Sequence, residues 1–370
     1  MKLFEMERYE SVIGRLKETC NHRTIPSDTV GAGLVDLSTN DYLGLGSRTD
    51  LQCEFMERVG DDRLPPFTSS ASRLLAASQR YYDELEALLA DVYRRPALLF
   101  NSGYHANTGA ISSLADERTL IIADKLVHAS IIDGMRLSGA SMERFRHNDV
   151  NHLERILSRK AGSFGRVLII TESVFSMDGD KAPLADIVQV KSRYDQAMLY
   201  VDEAHAFGVE GQRGLGLCAS MPEVDFIVGT LGKAGASVGA FIVCSSLCRD
   251  YLLNRARSFI FSTAIPPFNC AWSSFIIEKI LAMDDGRARL RQLGQQLARI
   301  TGASSGHIQP FVTGSAESAL ALSSRLLEHG FKVLPIRTPT VPAGTERLRF
   351  SLSLDVTEAD LERLSAIDLT

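Results

Sequence analysis

The chain of 370 residues contains a single tryptophan, no Cys-x-x-Cys pair, no long run of lysine or arginine, no tandem repeat and no low-complexity segment. Without a basic run, and with 40 basic against 45 acidic side chains for a net charge of −5, nothing electrostatic favours nucleic acid or an anionic membrane. No apolar stretch reaches the roughly 20 residues of a bilayer span. The first residues, Met1-Lys-Leu-Phe-Glu-Met-Glu-Arg8, lack the apolar centre of a secretion signal, so the expected location is the cytoplasm. The six cysteines (Cys20, Cys53, Cys218, Cys244, Cys248, Cys270) are scattered, and no histidine or second cysteine pair near Cys244 and Cys248 completes a zinc site. Buried, reduced thiols and no metal are expected. His147 and His152 read as surface residues.

What is present is an apolar fraction of 45%, enough for one large domain and a smaller companion. An amphipathic helix from Phe4 to Cys20, a polar stretch and a short strand from Leu34 to Leu37 read as an arm over residues 1–45. Beyond it come near-continuous apolar runs: Ala97–Asn101, Thr119–Ala123, Val167–Thr171, Met198–Asp202, Phe226–Gly229 and Ala240–Cys244. Such runs predict strands buried on both faces. The helical stretches Val150–Lys160 and Leu184–Tyr194 are the crossovers that parallel strands need. The fold class is therefore α/β, an open and mostly parallel sheet over residues 46–265. After Pro266-Pro267, which cannot continue a helix, the pattern turns to long helices (Asn269–Met283, Arg287–Arg299, Ser315–His329) with strands at Ile308–Val312 and Leu348–Leu352. A smaller α/β domain is expected over residues 266–370.

In open parallel sheets the ligand crevice lies beyond the carboxyl ends of the strands. Those ends carry Asn101-Ser-Gly-Tyr-His-Ala-Asn107, then Asp124 and His128, then Glu172, Ser173 and Ser176, then Asp202-Glu-Ala-His205, and last Thr230-Leu-Gly-Lys233. A serine or aspartate after a strand ordinarily caps a helix. Five successive strand ends carrying such residues instead gather chemistry on one edge, and the helix start after Asn101 offers free N–H groups to a phosphate.

Three other motifs fail on context. Asp202-Glu-Ala-His205 spells the magnesium box of helicase-type NTPases, but Gly229-Thr-Leu-Gly-Lys233 has the wrong spacing for a phosphate loop. It also follows the box rather than preceding it, and Ala234 stands where a Ser or Thr should bind the metal. Gly235-Ala-Ser237-Val-Gly239 matches a hydrolase nucleophile pattern but precedes a strand rather than a helix, which makes Ser237 a turn residue. Gly214 and Gly216 do not lie between a strand and a helix, as a dinucleotide site requires.

A lysine on a tight glycine-rich turn, with an aspartate ending a neighbouring buried strand, fits pyridoxal phosphate (PLP) chemistry. The lysine holds the cofactor as a Schiff base, the aspartate keeps the pyridine nitrogen protonated, and a helix N-terminus takes the phosphate. His128 is placed in the chain to stack on the ring.

The motifs Asn40-Asp-Tyr-Leu-Gly-Leu45, Phe100–Asn107, Thr171-Glu-Ser-Val-Phe-Ser-Met-Asp-Gly-Asp180, Val201–Gly208, Gly229–Lys233, Phe261-Ser-Thr-Ala-Ile-Pro-Pro267 and Arg347-Leu-Arg-Phe-Ser351 together resemble the α-oxoamine synthase family. They run in the family's order over nearly the whole chain. The resemblance implies a fold-type I aminotransferase architecture and a homodimer with sites at the subunit interface. It implies that Lys233 carries PLP and later acts as base at Cα, that Asp202 pairs with the pyridine nitrogen, and that His205 and Ser176 lie near the phenolic oxygen. His128 would stack on the ring. Ser102, Gly103, Tyr104 and Thr230 would line the phosphate end, with Thr263 joining from the neighbouring subunit. Arg349 would take the amino-acid carboxylate, with Asn40 and Glu172 as further site residues.

The stretch Val333-Leu-Pro-Ile-Arg-Thr-Pro-Thr-Val-Pro-Ala-Gly-Thr345 and the overall length resemble the branch that joins L-alanine to a pimeloyl thioester carried on coenzyme A or acyl carrier protein. Thr68-Ser-Ser-Ala-Ser-Arg73 replaces a glycine-rich stretch usual in the family, and Tyr82 stands where a histidine is common; both bear on the acyl-donor channel. The alternatives are a sister synthase joining glycine to acetyl-CoA and a catalytically silent scaffold, the latter disfavoured by the intact Lys/Asp/His set.

Overall fold

Six of the apolar runs form the strands Ala97–Phe100, Thr119–Asp124, Arg166–Glu172, Ala197–Asp202, Phe226–Thr230 and Ala240–Val243, in a computed structural model that describes residues 3–25, 33–60 and 64–369. They share a seven-stranded sheet with Ser141–Phe145, in the spatial order 97–100, 240–243, 226–230, 197–202, 166–172, 119–124 and 141–145. Ala240–Val243 alone runs opposite in direction to the other six strands. The strands are apolar throughout because helices cover both faces. Ile121, Ile170, Tyr200, Val228 and Ile242 pack with the helices Gly103–Leu114 and Ala129–Ser138 in one buried cluster. Each fully buried side chain of this kind contributes about 1.5–3 kcal/mol. Gly134 lets those helices approach, since a Cβ there would lie 2.9 Å from the Asn107 carbonyl and 3.0 Å from Ile111 Cβ. Ser141–Phe145 escapes sequence reading because it is an edge strand of which only Phe145 is buried.

This sheet belongs to the larger of two compact units, residues 41–176 and 180–287; the smaller takes in the described residues up to Asn40, residues 177–179 and those from Ala288 on. The units thus divide elsewhere than at the expected residues 45 and 265. On the N-terminal side, Val35–Asp36 pairs in parallel with Phe331–Lys332, which ties that segment to the C-terminal part. The helix at the N-terminus spans Leu3–Glu18. On the other side, Pro266 and Pro267 do not interrupt the larger unit but open the helix Pro267–Leu281, with Pro267 in the first turn, where no N–H is needed. Phe268, Trp272 and Phe275 of that helix ring Phe55 at 5.2–5.6 Å.

Within the smaller unit, Leu334–Ile336, Arg347–Ser351 and Ile308–Val312 form an antiparallel sheet in that order, with the helices Ala316–Glu328 and Glu358–Ser365. All six cysteines are unpaired, but only Cys218, Cys244 and Cys270 are buried; Cys53 is exposed and Cys20 and Cys248 are half-buried. No helix among the described residues is long and apolar enough to cross a membrane.

Candidate active site

The carboxyl ends of the parallel strands meet at one edge of the large sheet, so each predicted residue can be followed outward from its strand. After Phe100, Ser102 takes an extended backbone and caps the helix Gly103–Leu114, its Oγ accepting from the His105 N–H at 3.2 Å. The Gly103 and Tyr104 N–H groups lie in the first turn, where a helix offers no carbonyl to receive them. A Cβ on Gly103 would stand 3.9 Å from Thr230 Cβ, so Thr230, ending its own strand, borders the same helix start. Thr230 Oγ1 donates to the Gly239 carbonyl and accepts from the Gly232 N–H, both at 3.2 Å, closing the turn that carries Lys233. The tightness of that turn requires glycine at 239, where φ is +117° and a Cβ would lie 2.7 Å from Ile265 Cδ1. Ser237 is a residue of this turn, its N–H donating to the Leu231 carbonyl.

Lys233 Nζ lies 2.8 Å from His205 Nε2, and His205 Nδ1 lies 2.5 Å from the hydroxyl of Tyr42. Tyr42 is fully buried, and sequence reading passed over it although it stands inside a quoted motif. The chain has two consistent proton arrangements. With Nε2 accepting from the lysine ammonium, Nδ1–H donates to the phenol oxygen; with Nε2–H donating to a neutral amine, Nδ1 accepts from the phenol.

Asp202 is buried, and both its oxygens are held: Oδ1 by the Ala204 N–H at 2.8 Å, Oδ2 by Asn107 Nδ2 at 2.7 Å. Asn107 is itself fixed, accepting from the Tyr200 hydroxyl at 2.8 Å and donating to Ser130 Oγ at 3.0 Å. Ser130 Oγ in turn lies 2.7 Å from Nδ1 of His128, and the His128 N–H donates to Glu172 Oε1 at 2.5 Å. Burial, reinforced by the nearby Asp202 charge, pushes the Glu172 carboxyl well above its ordinary range. Ser176 is half-buried on the loop that follows. Asn107, Tyr200 and Ser130 are thus site-supporting residues; Asn107 closes the strand-end motif Asn101–Asn107, whereas Tyr200 and Ser130 carried no signal beyond their buried positions.

Glu203 points away from this edge. It is fully buried, accepts from the Leu217 and Cys218 N–H groups at 2.7 and 3.1 Å, and burial lifts its carboxyl to about 7. Gly216 is glycine because a Cβ there would fall 2.0 Å from Glu203 Oε2.

Thr263 is exposed and pairs through a short bridge with Ser72, while Asn101 Nδ2 donates to its carbonyl. The two departures from the family pattern adjoin the same segment: Tyr82 donates to the Ile265 carbonyl at 2.6 Å, and the Ala264 N–H donates to the Ala71 carbonyl at 2.9 Å. The Arg73 guanidinium lies over the Tyr82 ring at 4.4 Å. Arg349 and Asn40 belong to the smaller unit, where buried Arg349 donates from Nη2 to Asn40 Oδ1 at 3.1 Å. His147 is not the surface residue expected. Its ring bonds two carboxylates, and half-buried His152 accepts the Arg146 N–H at 2.9 Å.

The family description "Aminotransferase class I and II" matches residues 32–366. The chain belongs to that family. A Haemophilus ducreyi protein named 8-amino-7-oxononanoate synthase is 47% identical over 349 residues, 90% of each chain. Serine palmitoyltransferase from S. paucimobilis, solved with PLP and myriocin, superposes with a TM-score of 0.87 at 29% identity over 99% of this chain and 97% of its own. An 8-amino-7-oxononanoate synthase from Francisella tularensis gives 0.73 at 29% identity over 91% and 98%. As a class I and II aminotransferase relative of the α-oxoamine synthase branch, the chain has the fold-type I architecture and is a PLP-dependent enzyme of acyltransferase type.

The residues present fit that cofactor. An amine at Lys233, a buried and doubly held carboxylate at Asp202, and a helix start left open by Gly103 beside Thr230 are the donor set that a phosphorylated pyridine aldehyde needs.

Proposed function

We propose that the enzyme condenses L-alanine with a pimeloyl thioester, with loss of carbon dioxide, to give 8-amino-7-oxononanoate for biotin synthesis. The chemistry rests on one observation above the others, the lysine amine hydrogen-bonded to a buried histidine on the edge that also carries Asp202. The choice of substrates rests on the likeness to relatives named for that product.

PLP, when bound, supplies an electron sink for the charge that develops at the amino-acid Cα. Lys233 would hold it through Nζ, and the same amine would take the Cα proton and later return one. His205 Nε2, 2.8 Å away, keeps that amine oriented and accepts or gives back its proton, while Tyr42 steadies the imidazole from the far side. Asp202 would hold the pyridine N–H with a carboxylate that Asn107 and the Ala204 N–H keep from rotating. Ser102, Gly103, Tyr104 and Thr230 would take the phosphate, His128 the ring face, and Ser176 with His205 the phenolic oxygen. Arg349, braced by Asn40, would bind the amino-acid carboxylate through its two-pronged guanidinium. Glu172 contributes by holding the His128 N–H.

We read the working form as a cytoplasmic homodimer, with Thr263 of the partner subunit reaching the phosphate end. Phe67, Leu74, Leu75 and Phe261 support this reading: they are 50–78% exposed and lie on segments joined by the Ser72–Thr263 bridge, an apolar surface of the kind that subunits cover. Six unpaired cysteines agree with a reducing compartment.

The test is carbon dioxide release with alanine, glycine or serine, each against pimeloyl, acetyl and palmitoyl thioesters on coenzyme A and on acyl carrier protein. Alanine with pimeloyl should exceed every other pair. A preference for glycine with acetyl would replace this reading by that of the sister synthase.

A further inference from the structure

His147 lies between two carboxylates from separate segments. Its Nδ1 is 2.9 Å from Asp124 Oδ1 and its Nε2 is 2.7 Å from Asp180 Oδ2. A ring with a carboxylate on each nitrogen donates from both, and that is the doubly protonated, cationic form. Burial opposes the charge, but the hydrogen bonds and charges of Asp124 and Asp180 outweigh it and lift the imidazole to about 10. Asn148 repeats the bridge beside it: its N–H donates to Asp124 Oδ2 and its Nδ2 to Asp180 Oδ2, both at 2.8 Å. Asp124 is fully buried and is held by His147, Asn148 and the Leu126 N–H, whereas Asp180 receives His147 and Asn148 on Oδ2 and has no hydrogen-bond partner at Oδ1 among the described residues.

Each carboxylate shapes a different approach to the cofactor site. Asp124 ends its strand and accepts the Leu126 N–H at 2.8 Å, which forms the turn leading to His128. The Asp180 carbonyl accepts the Phe175 N–H at 3.0 Å, and Val174 bridges to Lys181, which closes the loop that carries Ser176. The His147 ring meets Phe175 edge-on with centroids 4.4 Å apart, so it also touches the neighbour of Ser176 directly.

We propose that His147 is a positioning residue for the cofactor: by bridging Asp124 and Asp180 it fixes the turn that bears His128 and the loop that bears Ser176 relative to each other. The inference rests on the assignment of those two residues to PLP. It asks nothing of the amino acid or the acyl donor.

The test uses purified full-length wild type and His147→Gln, which keeps a donor but loses the charge and the second bond. Three quantities are read: PLP dissociation constant, visible circular dichroism of the bound cofactor, and cooperative melting without cofactor. The expected result is a folded variant whose PLP binding is weaker by about tenfold and whose dichroic band changes, because small misplacements at such a site are costly. A folded variant with lowered melting temperature but wild-type PLP affinity and band would have lost stability only, and the proposal would be overturned. Should His147→Gln not fold, Asn148→Gly decides the matter. Glycine accepts the φ of +53° found there, and the substitution removes the side-chain bonds to Asp180 and to the Lys181 carbonyl together with the 3.3 Å contact on His147 Nε2, while the backbone bond to Asp124 stays. A several-fold loss of PLP affinity supports the proposal and wild-type affinity overturns it. No readout involves alanine or thioester, so a failed substrate assignment leaves this result standing.

Discussion

Tyr42 and Lys233 are coupled through a single imidazole: the phenol hydroxyl lies 2.5 Å from one nitrogen of His205 and the lysine amine 2.8 Å from the other. Because Tyr42 and His205 are both buried, removing the hydroxyl leaves Nδ1 without that partner in a place water does not reach. Tyr42→Phe should keep the visible band of the lysine-bound cofactor yet lower kcat by about tenfold or more, with the pH profile of kcat displaced, since Nδ1 then loses the phenol in either proton arrangement. Lys233→Ala is the control and should abolish the borohydride-sensitive band. An unchanged band in that variant would remove the lysine assignment.

Asn107 joins three buried polar groups, Tyr200, Asp202 and Ser130. Asn107→Ala strands the Tyr200 hydroxyl and one Asp202 oxygen, a cost of about 1–3 kcal/mol in unfolding free energy. It should also weaken PLP binding, because the Asp202 carboxylate is then free to turn. Tyr200→Phe, which removes only the outermost link, should cost stability but spare cofactor affinity. Denaturant unfolding and PLP titration of the two variants separate these effects. Equal PLP losses in both would mean that Asn107 does not orient Asp202.

How much of this was legible in the sequence follows from the range of the interactions. The strands Thr119–Asp124, Arg166–Glu172 and Ala197–Asp202 are local apolar runs, and parallel geometry carries their ends to one edge, so Asp202 and the Lys233 turn could be located without a structure. Ser141–Phe145 could not, because an edge strand needs only one buried residue and leaves no run. The Tyr42–His205 and Asn107–Asp202 pairs join residues 163 and 95 positions apart, and nothing in a single sequence marks such a pairing. His147 was misjudged for the same reason, since the charge that holds it comes from Asp124 and Asp180. The division of the chain was missed at its N-terminal side because the Val35–Phe331 pairing is also long-range.

Gly103 separates the needs of the fold from those of the cofactor. A Cβ there would meet Thr230 Cβ only at ordinary contact distance, 3.9 Å, and alanine is a better helix former than glycine. Gly103→Ala should therefore leave the melting temperature of the cofactor-free protein unchanged or raised. The same methyl would intrude on the phosphate position proposed above, so PLP affinity should fall by about tenfold, in keeping with the cost of a misplaced group. Gly134→Ala should do the reverse, lowering stability first, because its Cβ would press on the Asn107 carbonyl at 2.9 Å. Unchanged PLP affinity in a folded Gly103→Ala would move the phosphate away from this helix start.

The His147 bridge also makes a prediction about pH whose sign is fixed. The imidazole is raised from its ordinary value of about 6.5 to about 10, so the folded protein holds this proton more tightly than the unfolded chain. Its contribution to stability is therefore complete below about 6.5, declines as the pH rises, and is gone above about 10. The groups facing the ring are Asp124, Asp180, Asn148 and Phe175, and all of them remain in His147→Gln. The difference in melting temperature between cofactor-free wild type and this variant thus isolates the histidine from every other titrating group. It should be largest near pH 6.5, shrink steadily through pH 8 and 9, and level off above pH 10. A difference that stayed constant across that range would mean that His147 is neutral in the folded protein, and that only one of its ring nitrogens donates to a carboxylate.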